Sequence, residues 1–182
     1  MPDLVEFADA SDGTMYVVTA ASGGTRAGCL VEYASPCSID PPYFVAWLST
    51  ANRTYDVARD ARYLTVHVLG REQRDLAELF GGQTGDAVDK FAEIAWRAGR
   101  EGSPVLSDVR SWFTGRIERV LPGGDHVGFV LLPVEHADPG AEPPPAPLRH
   151  RHVQGLEAGH ASGEQRDGDS DLVRMDGRGP GH

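Results

Sequence analysis

The chain is short of positive charge. Its 182 residues hold 17 Lys and Arg against 27 Asp and Glu, and Lys90 is the only lysine. A formal net charge of −10 argues against nucleic acid as a partner, since phosphate binding demands a basic face. Anionic ligands must then be held by Arg, backbone amides or hydroxyls. Cysteine is equally sparse. Cys29 and Cys37 make neither a disulfide framework nor a C-x-x-C pair, so two free thiols in a reducing cytoplasm are expected. No basic segment followed by an apolar run opens the chain, and no apolar stretch approaches a membrane span, so neither a secretory signal nor a membrane partner is expected. Several chemistries lack their residues. There is no Walker lysine motif and no G-x-G-x-x-G, Ser35 has no G-x-S-x-G context, and neither Cys has a recognisable His partner. His150-Arg151-His152 has metal-ligand character but no partner cluster, so a solvated tail is expected there and no metal.

What the chain does have is concentrated in Gly28–Thr54. Two apolar strand candidates, Gly28–Tyr33 and Tyr43–Leu48, flank the joint Ser38-Ile39-Asp40-Pro41-Pro42. Two successive prolines favour extended backbone and launch the second strand in a fixed direction. A helix start, Asn52-Arg53-Thr54, follows. Before this stretch, Met15–Ala20 is a strand that pairs with Gly28–Tyr33 as a hairpin through Ser22–Thr25. After it come a helix over Asn52–Ala61 capped by Asn52, an alternating strand over Tyr63–Leu69, and a helix over Glu72–Phe80 ended by Gly81-Gly82. A third helical piece over Val88–Trp96 carries Phe91, and Ser103-Pro104 is a loop. Ser111–Leu121 and His126–Val134 form a second hairpin around Gly123-Gly124-Asp125. Strands dominate and do not alternate with helices, which favours an antiparallel barrel over a doubly wound sheet. From residue 137 the chain turns to Pro, Gly, Asp and His without aromatics. The expected division is therefore a folded domain over 1–136 and a disordered tail over 137–182.

Asn52-Arg53-Thr54 is the strongest ligand signal. A helix start offers unpaired amides, Arg53 a fixed charge, and Ser49, Thr50 and Thr54 hydroxyls, a set that suits one phosphate such as that of FMN. The same residues also describe an ordinary capped helix. Gly28–Ser35 offers backbone that can run along a flat heterocycle, or a plain core strand. His126, at a hairpin tip, is either a group for nicotinamide binding or proton movement, or a surface His of a turn.

Taken together these segments resemble the flavin reductase-like, FMN-binding split-barrel family. The resemblance rests on the VVTA strand Val17–Ala20, Gly28, Ala34-Ser35, Ser38–Pro42, Asn52-Arg53-Thr54, the run VHVLGREQRDLAELF over Val66–Phe80, Lys90-Phe91, Gly102–Leu106 and Gly124–Val127, in one order over roughly residues 12–136. It implies a mainly β fold with inserted helices, a six-stranded antiparallel split β-barrel, usually a homodimer. It implies NADH- or NADPH-dependent reduction of FMN, or of FAD, by hydride transfer to flavin N5, often feeding a flavin-dependent monooxygenase. Carried over by position, Cys29, Leu30, Val31, Glu32, Ala34 and Ser35 line the isoalloxazine. Ser49, Asn52, Arg53 and Thr54 hold the phosphate, and Phe91 and His126 border flavin and nicotinamide. Many relatives carry Thr, Ser and Ser where this chain has Cys29, Val31 and Glu32, which removes hydroxyls and adds a negative charge. A carrier of flavin or deazaflavin on the same fold, and a flavin-free barrel that mediates protein contacts, are the alternative readings.

Overall fold

Two hairpins frame the fold. The computed structural model describes residues 5–82, 89–138, 140 and 142–156. After a short helix α1 (Val5–Ser11), strand β1 (Tyr16–Ser22) turns directly into β2 (Thr25–Val31). Gly23 and Gly24 form the turn with φ of 56° and 80°. Two consecutive positive φ values define the tight hairpin turn whose twist matches the strands, and glycine adopts them without steric cost. Next come β3 (Ala34–Ser38), β4 (Tyr43–Ser49), α2 (Arg53–Ala58), β5 (Tyr63–Val68) and α3 (Arg74–Gly82). The short strands β6 (Trp96–Ala98) and β7 (Pro104–Leu106) precede the long hairpin β8 (Ser111–Gly123) and β9 (His126–His136).

The main sheet is antiparallel, in the order β2-β1-β5-β8-β9-β4-β3. Val18 and Ala20 of β1, Cys29 and Val31 of β2, Ala46 and Leu48 of β4, Leu64 and Val66 of β5, and Phe129 and Leu131 of β9 share one buried core. Strands far apart in the ladder reach a common core because the sheet curls on itself. Val57 and Ala58 of α2 pack into this core, and α2 lies against β1, β2 and β4. Among the described residues β2 and β3 are the edges of the sheet, so the curled sheet is split beside β2.

The mainly antiparallel β architecture with inserted helices agrees with expectation, and both hairpins lie where the turn residues put them. The strand count differs, because the main sheet has seven strands rather than six. The additional strand includes β3, which contains Pro36 and sits at an edge, where a missing amide donor costs no ladder bond. The joint over Ile39–Pro42 is a turn with a cis Asp40–Pro41 bond rather than an extended spacer. The expected helix over Val88–Trp96 is a single 3₁₀ turn, Lys90–Ala92, followed by β6, and Val88 lies outside the described residues. Pro104 opens β7 rather than a loop.

The largest correction concerns the tail. Leu148 is fully buried in a second core with Met15, Val17, Leu69, Phe80, Leu106 and Val153, on the outer side of β1. Its backbone is held as in a ladder: Met15 N–H donates to Leu148 O (2.9 Å) and Leu148 N–H to Leu69 O (2.8 Å). His150 N–H donates to Gly13 O (2.9 Å). The folded unit therefore extends through residue 156. Averaged composition hid a few apolar residues that find preformed partners; residues 157–182 lie outside the described set.

His67, also fully buried, ties β5 to β1 and β7. Its Nδ1–H donates to Val17 O (3.0 Å) and its Nε2 accepts from Leu106 N–H (3.0 Å). These partners fix the neutral tautomer, and burial pushes the imidazole down to about 4 from 6.5. Two outcomes follow from these cores. The unfolded chain protonates His67 near 6.5 and the folded protein only near 4, so the unfolded state binds more protons between those values. Stability should be insensitive to this group above 6.5 and fall by roughly 3 kcal/mol as pH drops to 4. Urea titrations across that range test this; an equal acid loss in His67→Gln would refute it. Leu148→Ala should lower stability by about 2–5 kcal/mol, because a cavity replaces a fully buried side chain. A parental urea midpoint would contradict the packing described.

Candidate functional site

A cleft of about 430 Å³ opens beside the split edge of the sheet. One wall is β2 and the residues after it, Cys29 to Tyr33. Facing it are Trp47, Leu48 and Ser49 of β4, Asn52 and His126. The third side combines Phe80 and Gly81 of α3 with Met15, His150, Val153 and Leu156.

Missing side chains set these walls. A Cβ on Gly28 would stand 2.7 Å from Phe80 Cε1, and one on Gly81 2.8 Å from Leu30 Cδ2. Both glycines let α3 press onto β2, and the space a Cβ on Gly28 would take is filled by Phe80. Lys90 locks this contact, its Nζ donating to Gly28 O (3.2 Å) and Phe80 O (3.1 Å). Burial lowers the Lys90 pKa, and proximity to Cys29 opposes this. On the far wall Trp47 lies against Gly123 and Gly128, where a Cβ on Gly128 would be 3.0 Å from the indole.

The polar groups are individually oriented. Asn52 caps α2, its Oδ1 accepting from Thr54 N–H (3.1 Å), as its sequence position indicates. Ser49 Oγ accepts only a long bond, 3.4 Å, from Ala51 N–H. His126 Nδ1 bonds Asp125 Oδ1 (2.8 Å), which holds the Asp125 carboxyl below its usual range, and its ring stands 5.5 Å from that of Tyr33. Glu32 Oε2 bonds His150 Nδ1 at 2.8 Å. Burial pushes the Cys29 thiol up to about 11 against the Thr54 hydrogen bond and Lys90, so Cys29 is a neutral thiol and no nucleophile.

Of the residues expected from sequence, the fold brings Cys29, Leu30, Val31, Glu32, Ser49, Asn52 and His126 together around the cleft. The others are elsewhere. Ala34 packs against the core of the main sheet from β3, and Ser35 is exposed on that strand. Arg53 is exposed at the start of α2 and is not a cleft wall. Thr54 is 1% exposed and bonded to Cys29, so its hydroxyl is turned into the core. Phe91 is buried behind α3, its ring edge-on between Phe80 and Trp96 at 5.8 and 5.6 Å. Tyr33, Trp47 and His150 are wall residues that sequence reasoning missed. Trp47 had a signal: it alternates with the inward Ala46 and Leu48 and shares the face of Ser49 two residues on. His150 had none, since it meets Glu32 across 118 positions.

No described helix is long and apolar enough to cross a membrane. Residues 10–157 match the family model of the flavin reductase like domain. An NADH:FMN oxidoreductase of Rhodococcus qingshengii is 31% identical over 134 residues, covering 72% of this chain and 68% of that protein. A probable flavin reductase of Rhizobium meliloti is 30% identical over 115 residues, 63% of this chain, which spans only 36% of that longer protein. An FMN-binding protein from Thermus thermophilus, solved with bound 1-cyclohex-2-enone, superposes with a TM-score of 0.73 at 22% identity over 90% of this chain and 97% of its own, a likeness of fold. Matched over most of its described length, the chain belongs to the flavin reductase like domain family.

Proposed function

We propose that the chain is an NAD(P)H-dependent flavin reductase that binds FMN, or FAD, in the cleft between β2, β4 and α3. The observation that carries this reading is the meeting of an edge strand, a pair of phosphate-sized donors and an oriented His in one cleft. An edge strand presents unpaired backbone N–H and C=O groups, the complement of a flavin ring edge. Leu30, Phe80, Val153 and Leu156 give the apolar sides a planar ring requires. Ser49 and Asn52 fit the phosphate; α2 has only six residues, so side-chain and backbone donors matter more than its dipole. The residues present therefore fit a flavin mononucleotide.

When bound, the flavin supplies the redox chemistry, accepting a hydride from the reduced nicotinamide. The protein's part is to orient and to exclude water. β2 fixes the ring edge, Ser49 and Asn52 fix the phosphate, and His126, held by Asp125, borders the open side where the nicotinamide enters. The neutral Cys29 thiol suits a reaction in which no covalent enzyme intermediate forms. A homodimer is part of the same reading, supported by the edges β2 and β3 and by exposed Tyr33, Ile39, Val120 and Leu121. The reduced flavin would pass to a flavin-dependent monooxygenase, the partner that the family resemblance implies.

Three measurements test these statements. Purified full-length protein should take up FMN, and the visible band should bleach on anaerobic addition of NADH or NADPH. Bands that neither nicotinamide bleaches would reduce the protein to a carrier, and absence of FMN binding would remove the reading altogether. Ser49→Ala should weaken FMN binding by roughly ten- to a hundredfold, the scale of a hydrogen bond to a charged group, and leave riboflavin affinity nearly unchanged. Equal loss for both ligands would detach Ser49 from the phosphate. Light scattering at micromolar concentration should give twice the chain mass; a monomer with flavin bound would rule out the dimer.

A further inference from the structure

His150 stands between two carboxylates at the cleft wall. Its Nδ1 is 2.8 Å from Glu32 Oε2, and its Nε2 is 3.1 Å from Asp9 Oδ1. Ionised carboxylates only accept hydrogen bonds. A neutral imidazole has one N–H and one lone pair, so it can satisfy one of these contacts and must present a lone pair to the other. Both bonds form when each ring nitrogen carries a proton. The His150 and Glu32 side chains are 25% and 17% exposed, so their charges are only partly screened.

The surrounding charges are largely committed elsewhere. Within the same segment, Arg151 pairs with Asp12, and Arg149 donates to the Asp12 carbonyl. The backbone carbonyl of His152 accepts from Arg74 Nη1 (2.7 Å). On the facing elements, α1 contributes Asp9, the end of β2 contributes Glu32, and His126 across the cleft is bonded to Asp125. Glu32 alone would put a negative charge beside the ring-binding wall. The proton on His150 offsets it and leaves the cluster of Glu32, His150 and Asp9 with one negative charge instead of two.

We propose that His150, as an imidazolium, is the charge-compensating residue of the cleft and favours the reduced form of the bound flavin. This rests on the flavin-binding reading above. In the reduction, the nicotinamide gives up a hydride, two electrons with one proton, and leaves as the oxidised cation. The neutral oxidised flavin that accepts it becomes a monoanion. No further proton has to move, and the new negative charge lies in a wall whose cation is His150. Glu32 then has two roles: it accepts the hydrogen bond from His150 Nδ1, and it carries the negative charge that the His150 cation offsets.

The experiment measures the midpoint potential of FMN on the full-length protein against pH, for the parent, His150→Gln, His150→Lys and the double variant Glu32→Gln/His150→Gln. His150→Gln should shift the potential negative, so that reduced FMN loses at least about fivefold in affinity relative to oxidised FMN, the low end of typical site–site coupling. His150→Lys keeps the charge and should hold the parental potential. The double variant removes both charges and should return toward the parent. In the flavin-free protein, ¹⁵N NMR should find a proton on each ring nitrogen of His150, as its two carboxylate contacts require. A parent that binds FMN while His150→Gln leaves its potential and pH profile unchanged would overturn this proposal alone. A singly protonated His150 would do the same. A parent that binds no FMN would overturn the flavin reading and this inference with it.

Discussion

The absence of a side chain at residue 28 sets the distance between α3 and the edge of the sheet. Phe80 occupies the space a Cβ would fill, Gly81 admits Leu30 in return, and Lys90 fastens both backbones from behind. Each contact is short-ranged, yet together they fix how far α3 stands from β2, and that gap is one dimension of the cleft. Lys90 is the chain's only lysine, and it is spent on backbone carbonyls rather than on a ligand. A buried ammonium is tolerated because two carbonyl oxygens and the Phe80 ring face, 5.5 Å away, replace its water.

Polar groups also hold the outer layer. Thr65 Oγ1 bonds Ser103 Oγ (3.0 Å) and Thr114 Oγ1 (2.9 Å), and Thr19 Oγ1 donates to Pro104 O (2.6 Å). With His67, these bonds join β7 and the residue before it to β1, β5 and β8. Among the described residues, no buried side-chain N or O atom lacks a partner. Satisfied buried networks of this kind specify one arrangement where apolar contacts alone would allow several.

Much of this was legible in the sequence, and the boundary of legibility is physical. Local signals carried over: Gly23-Gly24 and Gly124-Asp125 made hairpins, and Asn52 made a cap. Signals that depend on tertiary partners did not. Ala34–Ser38 is not among the expected strands, and its Pro36 is tolerated there because the edge position makes the missing donor harmless. Phe91 followed the family pattern to the flavin, but its ring completes an aromatic stack behind α3. Thr54 looked like a ligand near Asn52, yet two residues further along the chain its hydroxyl is turned to Cys29. The cleft was half visible: β2, Ser49, Asn52 and His126 could be named, Trp47 was signalled only by its alternation with Ala46 and Leu48, and Tyr33 and His150 needed the folded chain.

The segment around Leu148 joins the two ends of the folded unit, with Thr14 bridged to Arg149 and Met15 hydrogen-bonded to Leu148. This has a consequence for biogenesis. Synthesis runs from the N-terminus, so β1, β2 and α3 leave the ribosome well before the strand of chain that finishes the wall beside them. Until residues 148–156 emerge, the outer core lacks Leu148 and Val153, and the third side of the cleft has only Met15, Phe80 and Gly81. Ligand loading is thereby deferred to a nearly finished polypeptide, and a chain that stalls in translation after β9 carries the sheet but not the completed pocket.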